Sequence, residues 1–437
     1  MKASSKHLKL LVITSVATAI IPLTSLAEDK VAIQIQQYKE NDDRIKVLDG
    51  KLSIEHDFGP NHTLSGEYDW DSISGASPTW DSITGASSET ASDAFTGASA
   101  CVPEEGENYY DYCRNTRLIN GVVGDGDTDL DNFVYHNVPL KDHRDSLAFL
   151  YTYRTPTMRN ELSIGASYSK ENDFENTGLS VEYLMYTDRS KNRSITAGVA
   201  YMKNEVYDYL GEKDEHGEYS LGGQWHNFDL INGQVGITQV FDANTIAKFS
   251  AYYMVEEGHL SNPYFNVVRR INVIDSSSDE YTTADIYPKY YLARDSRPDQ
   301  RKAGGISIQT AKSLNENTTW HTSYRFYQDS WGVQSHTLES KSYHNITDNV
   351  RFSPVLRLYT QSEANFFKAH DAVDNIFSET GYATADDRLG NFNAWTGQLG
   401  LEYLESKKLT WNIVLGYQEQ STGLTFAWVN FGAQYRY

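Results

Sequence analysis

Asn160-Glu161-Leu162-Ser163-Ile164-Gly165-Ala166-Ser167-Tyr168 alternates, residue by residue, between apolar and small or polar side chains. Successive side chains of a β-strand point to opposite faces. Leu162, Ile164, Ala166 and Tyr168 therefore share one face, and Glu161, Ser163, Gly165 and Ser167 the other. The pattern recurs twice before Met202. Leu179, Val181, Tyr183 and Met185 alternate with Gly178, Ser180, Glu182 and Leu184, and Ile195, Ala197, Val199 and Tyr201 with Thr196, Gly198 and Ala200. Three consecutive strands of this kind predict an all-β fold, an antiparallel barrel wall whose apolar face meets lipid.

The end of the chain supports this. Thr425, Ala427, Val429, Phe431, Ala433, Tyr435 and Tyr437 fall on one face and finish on an aromatic. That resembles the last strand by which outer-membrane barrels are handed to the barrel assembly machinery. Aromatics reach 13%, with 31 tyrosines, while the mean hydropathy is −0.56. Barrel strands reconcile the two, because only every second residue need be apolar. A soluble all-β protein has the same composition, so the alternation carries the argument.

Residues 1–27 read as a secretory signal peptide. Lys2, Lys6 and Lys9 precede the apolar run Leu10 to Leu23, and Ser25-Leu26-Ala27 offers small residues before a cut ahead of Glu28. Residues 28–437 then form a single barrel domain in the outer membrane of a Gram-negative cell. No later stretch approaches the roughly 20 apolar residues of a spanning helix. A formal net charge of −21 argues against nucleic-acid binding, which needs a basic footprint.

Turn chemistry sets the expected topology. Gly59-Pro60-Asn61, Thr155-Pro156-Thr157, Asp188-Arg189-Ser190-Lys191, Asp242-Ala243-Asn244, Asn315-Glu316-Asn317, Thr347-Asp348-Asn349 and Ser406-Lys407-Lys408 each suit a short hairpin. Four long connections lie between them, near Asp71–His143, Lys203–His226, Glu257–Lys302 and Phe366–Phe392. Short turns face the periplasm and long loops the outside. The arrangement predicts sixteen strands, with Val333 to Ile346 the most weakly patterned.

The loop expected over Asp71–His143 opens on a repeat. Asp71-Ser72-Ile73-Ser74-Gly75-Ala76-Ser77 is followed by Asp81-Ser82-Ile83-Thr84-Gly85-Ala86-Ser87 and Asp93-Ala94-Phe95-Thr96-Gly97-Ala98-Ser99. One reading is a flexible Ser/Gly/Asp-rich loop, since short polar residues favour turns. The other is recognition by an enzyme, because Asp, Gly, Ala and the final Ser hold fixed positions while the spacers vary.

The unit resembles the acceptor motif of FAD:protein FMN transferases, which join FMN through a phosphoester to a hydroxyl side chain. The resemblance implies covalent FMN on Ser77, Ser87 and Ser99, with Asp71, Asp81, Asp93, Gly75, Gly85 and Gly97 as the recognised framework. The usual acceptor is Thr, and all three here are Ser. An acceptor in a mobile segment beside Gly and Ala suits close approach to a pyrophosphate. Linkers of this length span roughly 16–21 Å, so neighbouring flavins would lie close enough to pass electrons to an unknown redox partner. The transferases act in the periplasm, whereas this loop is expected outside. Modification before insertion, or a loop folded into the lumen, reconciles the two. More broadly, the chain resembles an uncharacterised family of exported Gram-negative outer-membrane barrels. Further landmarks are Asn262-Pro263-Tyr264, Arg297-Pro298-Asp299-Gln300-Arg301 and Thr384-Ala385-Asp386-Asp387-Arg388-Leu389.

Other signals are weaker. Cys101 and Cys113, the only cysteines of an exported chain, predict one disulfide. Asp125, Asp127, Asp129 and Asp131 alternate along one segment and suit calcium or a plain solvated acidic loop. His336, His344 and His370, the last beside Asp371 and Asp374, lack any neighbouring nucleophile motif. Tyr109-Tyr110-Asp111-Tyr112 and Tyr287-Pro288-Lys289-Tyr290-Tyr291 read as ligand contacts or interfacial girdle. Arg294, Arg297 and Arg301 read as pore-lining charges or a loop salt-bridge cluster. A redox mount carrying FMN is the leading functional expectation, ahead of a porin or substrate-specific channel, with an outer-membrane hydrolase third.

Overall fold

The computed structural model describes residues 29–42, 44–82, 130, 133–208, 223–274 and 286–437. Along the chain run β1 (Lys30–Glu40), β2 (Ile45–Asp57), β3 (His62–Ser82), β4 (Phe133–Arg154) and β5 (Glu161–Lys170). Then come β6 (Phe174–Tyr186), β7 (Arg193–Asp208), β8 (Gln224–Asp242), β9 (Thr245–Gly258), β10 (Asn266–Ile274) and β11 (Ile286–Arg294). The last eight are β12 (Gln300–Asn315), β13 (Thr318–Asp329), β14 (Gln334–Thr347), β15 (Val350–Gln361), β16 (Phe377–Ser378), β17 (Phe392–Leu404), β18 (Leu409–Gln420) and β19 (Thr425–Arg436).

Sixteen of these close an antiparallel barrel, and β10, β11 and β16 form a separate three-stranded sheet. Closure is made by β1 on β19, in a register running from Lys30↔Arg436 to Glu40↔Phe426. All seven expected tight turns join neighbouring wall strands at one end of the barrel. Val333 to Ile346, the weakly patterned stretch, falls largely in β14 and pairs on both sides.

The outward face is the one the alternation indicated. Ile164, Tyr168, Leu179, Val181, Val199 and Tyr201 are exposed, as are Phe431 and Tyr435 of the last strand and Tyr437 just after it. In water such a belt would be unstable; in a bilayer it is the lipid-facing surface, while closure satisfies every strand edge. The chain is therefore an outer-membrane barrel, and by the general rule for such barrels the end with the tight turns is called the periplasmic end.

Inside, polar side chains pair across strands. Lys51 lies 2.7 Å from Glu67 and 3.4 Å from Asp69. Glu182 accepts from Gln234 at 2.7 Å, and the Arg325 guanidinium donates to Tyr252 at 2.8 Å. Nearer the outer end, Met202, Leu230, Met254 and Ala303 form an apolar inner patch with Tyr327.

The first long connection is shorter than expected. β3 and β4 stay paired to Ser82↔Phe133. β2 follows β3 only to Gly75, and β5 follows β4 only to Asp145. Beyond the wall, β3 and β4 thus run on as a two-stranded ribbon of about seven residues per strand, roughly 24 Å long at the usual rise. The first repeat copy lies in β3 and not in a loop. Asp71 and Ile73 are buried inward while Ser72 and Ser74 point out, a period of two hidden inside a polar sequence. The Arg144 guanidinium opposite supplies Asp71 with a buried counter-ion.

Candidate functional site

Two excursions from the outer end of the wall build the cap. One leaves β9 after Gly258 and returns at Gln300, carrying β10 and β11; the other runs between β15 and β17 and carries β16. β10 pairs antiparallel with β11 and parallel with β16, so the two excursions share one sheet. An antiparallel bridge joins Ser296 to Ala383, with N–H···O distances of 2.9 and 2.8 Å.

The three landmark segments meet at this junction. Arg297 donates from Nε to Asp295 Oδ1 at 2.7 Å and from Nη2 to Asp386 Oδ2 at 2.8 Å. Arg388 grips the same Asp386 carboxylate through Nε at 2.7 Å and Nη2 at 2.5 Å. The Thr384 hydroxyl donates to Asp295 Oδ2, and the Asn262 backbone N–H donates to Asp295 Oδ1 at 2.8 Å. Tyr264 reaches the wall, donating to Asp173 Oδ2 at 2.5 Å. Side chains of Asp295 and Asp386 are 0% and 2% exposed.

Buried charge is tolerated only when paired and hydrogen-bonded, and this cluster meets both conditions. Burial alone would raise the Asp386 carboxyl. The charges and hydrogen bonds of Arg388 and Arg297 outweigh it and hold Asp386 well below the usual carboxylate range. A short 3-10 turn, Asp387–Leu389, is capped by the same residue, which accepts from the Arg388 N–H. One carboxylate thus fixes a turn and two guanidiniums.

Apolar contacts seat the cap in the mouth. Leu260 packs on the inward-facing Phe174, Val206 and Phe228; Leu389 joins Trp331, Val333 and Ala364. Phe133, at the tip of the β3–β4 ribbon, packs against Val267, Val268 and Phe377. The ribbon is therefore docked on the cap sheet.

Arginines read as pore-lining candidates are all engaged in the cap or at its rim. Arg294 donates to the Pro263 carbonyl at 2.8 Å. Arg301 is held by Asp329 at 2.6 Å and lies 4.5 Å from the centroid of the Trp331 ring. The salt-bridge reading holds for Arg297 and Arg301. The tyrosine run over 287–291 lies in β11 of the cap, with Tyr290 packed against the cap core. His336 meets the Tyr324 hydroxyl at 2.7 Å, His344 meets Ser342 at 2.9 Å, and His370 stacks on Tyr135 at 3.9 Å. The three histidines do not converge.

Of the repeat, Asp71 is a buried ion-pair partner and Gly75, Ser77 and Asp81 stand in β3 opposite Leu140, Val138 and Val134. Ser87, Ser99, Asp93, Gly85, Gly97, Cys101, Cys113, Asp125, Asp127, Asp129, Asp131 and the expected signal peptide lie outside the described residues. Two clusters escaped sequence reading because their members are far apart in the chain. Asp142, Glu171 and Asp173 form an all-oxygen group, and Asp208, His226 and His259 a mixed one; in each the donor atoms lie within 4.8 Å of one another.

The fold and its cap define the class, a closed sixteen-stranded outer-membrane barrel with a structured outer lid. Within that class the chain belongs to the DUF3570 family, proteins of unknown function, whose description matches residues 8–427. No curated protein matches it. Solved structures of similar fold include a mutant of the ferric enterobactin receptor PfeA of Pseudomonas aeruginosa, at 10% identity and TM-score 0.41, covering 90% of this chain and 53% of the receptor. A bacterial polysaccharide outer membrane secretin matches at 5% identity and TM-score 0.45, over 94% of this chain and 98% of its own. A mutant of the TodX monoaromatic hydrocarbon channel matches at 10% identity and TM-score 0.40, over 94% and 91%. The chain spans only about half the length of the receptor, and at these identities the likeness concerns fold alone.

Proposed function

We propose that this protein is a sealed outer-membrane mount that carries covalent FMN on its outermost hairpin and takes part in extracytosolic electron transfer. What supports the reading is the union of two features on one hairpin. A three-copy acceptor-like unit starts in β3, and the cap beside it is joined by buried ion pairs.

In the transfer step, a Ser Oγ forms a P–O bond to the FMN phosphorus of FAD. The pyrophosphate P–O bond breaks, AMP leaves, and the hydroxyl proton passes to solvent. Modification by the periplasmic transferase precedes insertion, before β3 and β4 are paired. The cofactor supplies the redox chemistry and the barrel positions it.

Intact mass of chain co-produced with an FMN transferase tests this. The expected result is added FMN that depends on the transferase and disappears stepwise with Ser77→Ala, Ser87→Ala and Ser99→Ala. Absence of added mass, or additions unchanged in the triple Ser→Ala variant, would contradict it. A second reading, a gated channel for a polar solute, is favoured by the charged inner face around Lys51, Glu67 and Asp69. It requires the cap to move.

A further inference from the structure

Asp208, His226 and His259 come from the outer ends of three adjoining wall strands. Asp208 ends β7, His226 is the third residue of β8, and His259 follows β9 directly. Pairing places Val206 opposite His226 and Phe228 opposite Gly258, so the three residues stand side by side at the rim. The two imidazoles stack at 4.2 Å with an 18° interplanar angle.

This placement depends on backbone geometry at one residue. Gly258 has φ +124°, and a Cβ there would lie 2.4 Å from the Asn227 carbonyl oxygen and 2.7 Å from Phe228 Cα. Only glycine fits both constraints. The turn it permits brings the His259 N–H to the Asn227 carbonyl at 3.0 Å and lays the His259 ring on that of His226. Beneath the three side chains Phe174, Val206 and Phe228 form an apolar floor with Leu260.

We propose that Asp208, His226 and His259 form a three-ligand site for a divalent late transition metal, which pins the start of the cap to the barrel wall. The argument is independent of the flavin reading. Two imidazole nitrogens and one carboxylate oxygen are the donors that such ions prefer over calcium or magnesium. With donor atoms within 4.8 Å of one another, side-chain rotations that turn the two stacked rings out of parallel bring all three to the roughly 2.0–2.2 Å bonds of zinc. Metal binding needs neutral imidazole. Three protein ligands leave a fourth position for water or an exogenous donor. Asp208 and His226 belong to the wall and His259 opens the cap excursion, so the ion would bridge the two parts.

Untagged full-length chain, folded in detergent, can be titrated with Co²⁺ as a spectroscopic probe and with Zn²⁺ in competition. The expected result is one tightly held Co²⁺ per chain with the intense visible bands of a four-coordinate site, displaced by Zn²⁺. His226→Gln and His259→Gln should each weaken binding at least tenfold, and Asp208→Asn should shift the bands. His344→Gln, on another strand, should change nothing. Heat-modifiable gel mobility verifies that every variant remains a folded barrel. Failure of the folded wild type to hold Co²⁺ more tightly than the His226→Gln/His259→Gln double variant would overturn the proposal. So would bands that survive in that double variant.

Discussion

The wall and the cap of this barrel are held together by opposite kinds of interaction. In the wall, strand pairing is continuous and the outward side chains of β5, β6 and β7 are apolar and exposed, so stability comes from closure and from lipid. In the cap, pairing is confined to one three-stranded sheet, and the junction is made by buried charges, Asp295, Arg297, Asp386 and Arg388. A lipid-facing wall tolerates many apolar sequences. A buried ionic junction tolerates almost no change, since removing one partner strands the others.

The comparison breaks most visibly at Asp386. Asp386→Ala leaves Arg297 and Arg388 without their shared carboxylate, at a cost of about 3–5 kcal/mol for a broken buried pair. That exceeds what a cap with few strands can absorb. The expected outcome is tryptic cleavage at Arg294 and Arg388 in a barrel that keeps its heat-modifiable mobility; full protection of those sites would show that apolar contacts alone seat the cap. Leu179→Arg, near the middle of β6 and 58% exposed, attacks the wall instead. It should lower folding stability in bilayers by about 2–4 kcal/mol and leave cap protection unchanged, as measured by urea titration in liposomes.

Acid should separate the two regions again. Asp386 has a depressed folded-state pKa, so its contribution is fully present above the ordinary carboxylate range and is lost as pH falls through the folded value. Hydrogen-exchange protection at residues 295–297 and 384–388, corrected for intrinsic rates, should fall below about pH 4 while wall strands keep theirs. Equal loss in both would place the acid-sensitive groups elsewhere. The smallest effect is expected at Arg351 and Glu402, a pair 3.3 Å apart with both side chains more than 40% exposed. Arg351→Ala should change wall stability by under about 1 kcal/mol in the same titration.

The difference between wall and cap also governs what the sequence could disclose. Period-two alternation is a local property, and with the seven turn signals it revealed strand direction, pairing order and the lipid-facing side. It failed where polar residues carried it. Asp71 and Ile73 point inward from a strand that reads as a Ser/Gly loop, because the stabilising partner, Arg144, lies across the hairpin. The cap junction was visible only as three separated segments. That Arg297 and Asp386 meet depends on the antiparallel bridge of Ser296 with Ala383, a non-local contact that no spacing encodes. Asp208, His226 and His259 likewise converge only once β7, β8 and β9 are in register.

The central claim is that the cap, not the wall, decides whether the barrel is open. Single-channel recording in planar bilayers compares wild type with Asp386→Ala directly. The account predicts no steady conductance for wild type and long-lived open events for the variant, whose lumen is polar and whose lid has lost its lock. Steady conductance from the wild type would contradict it.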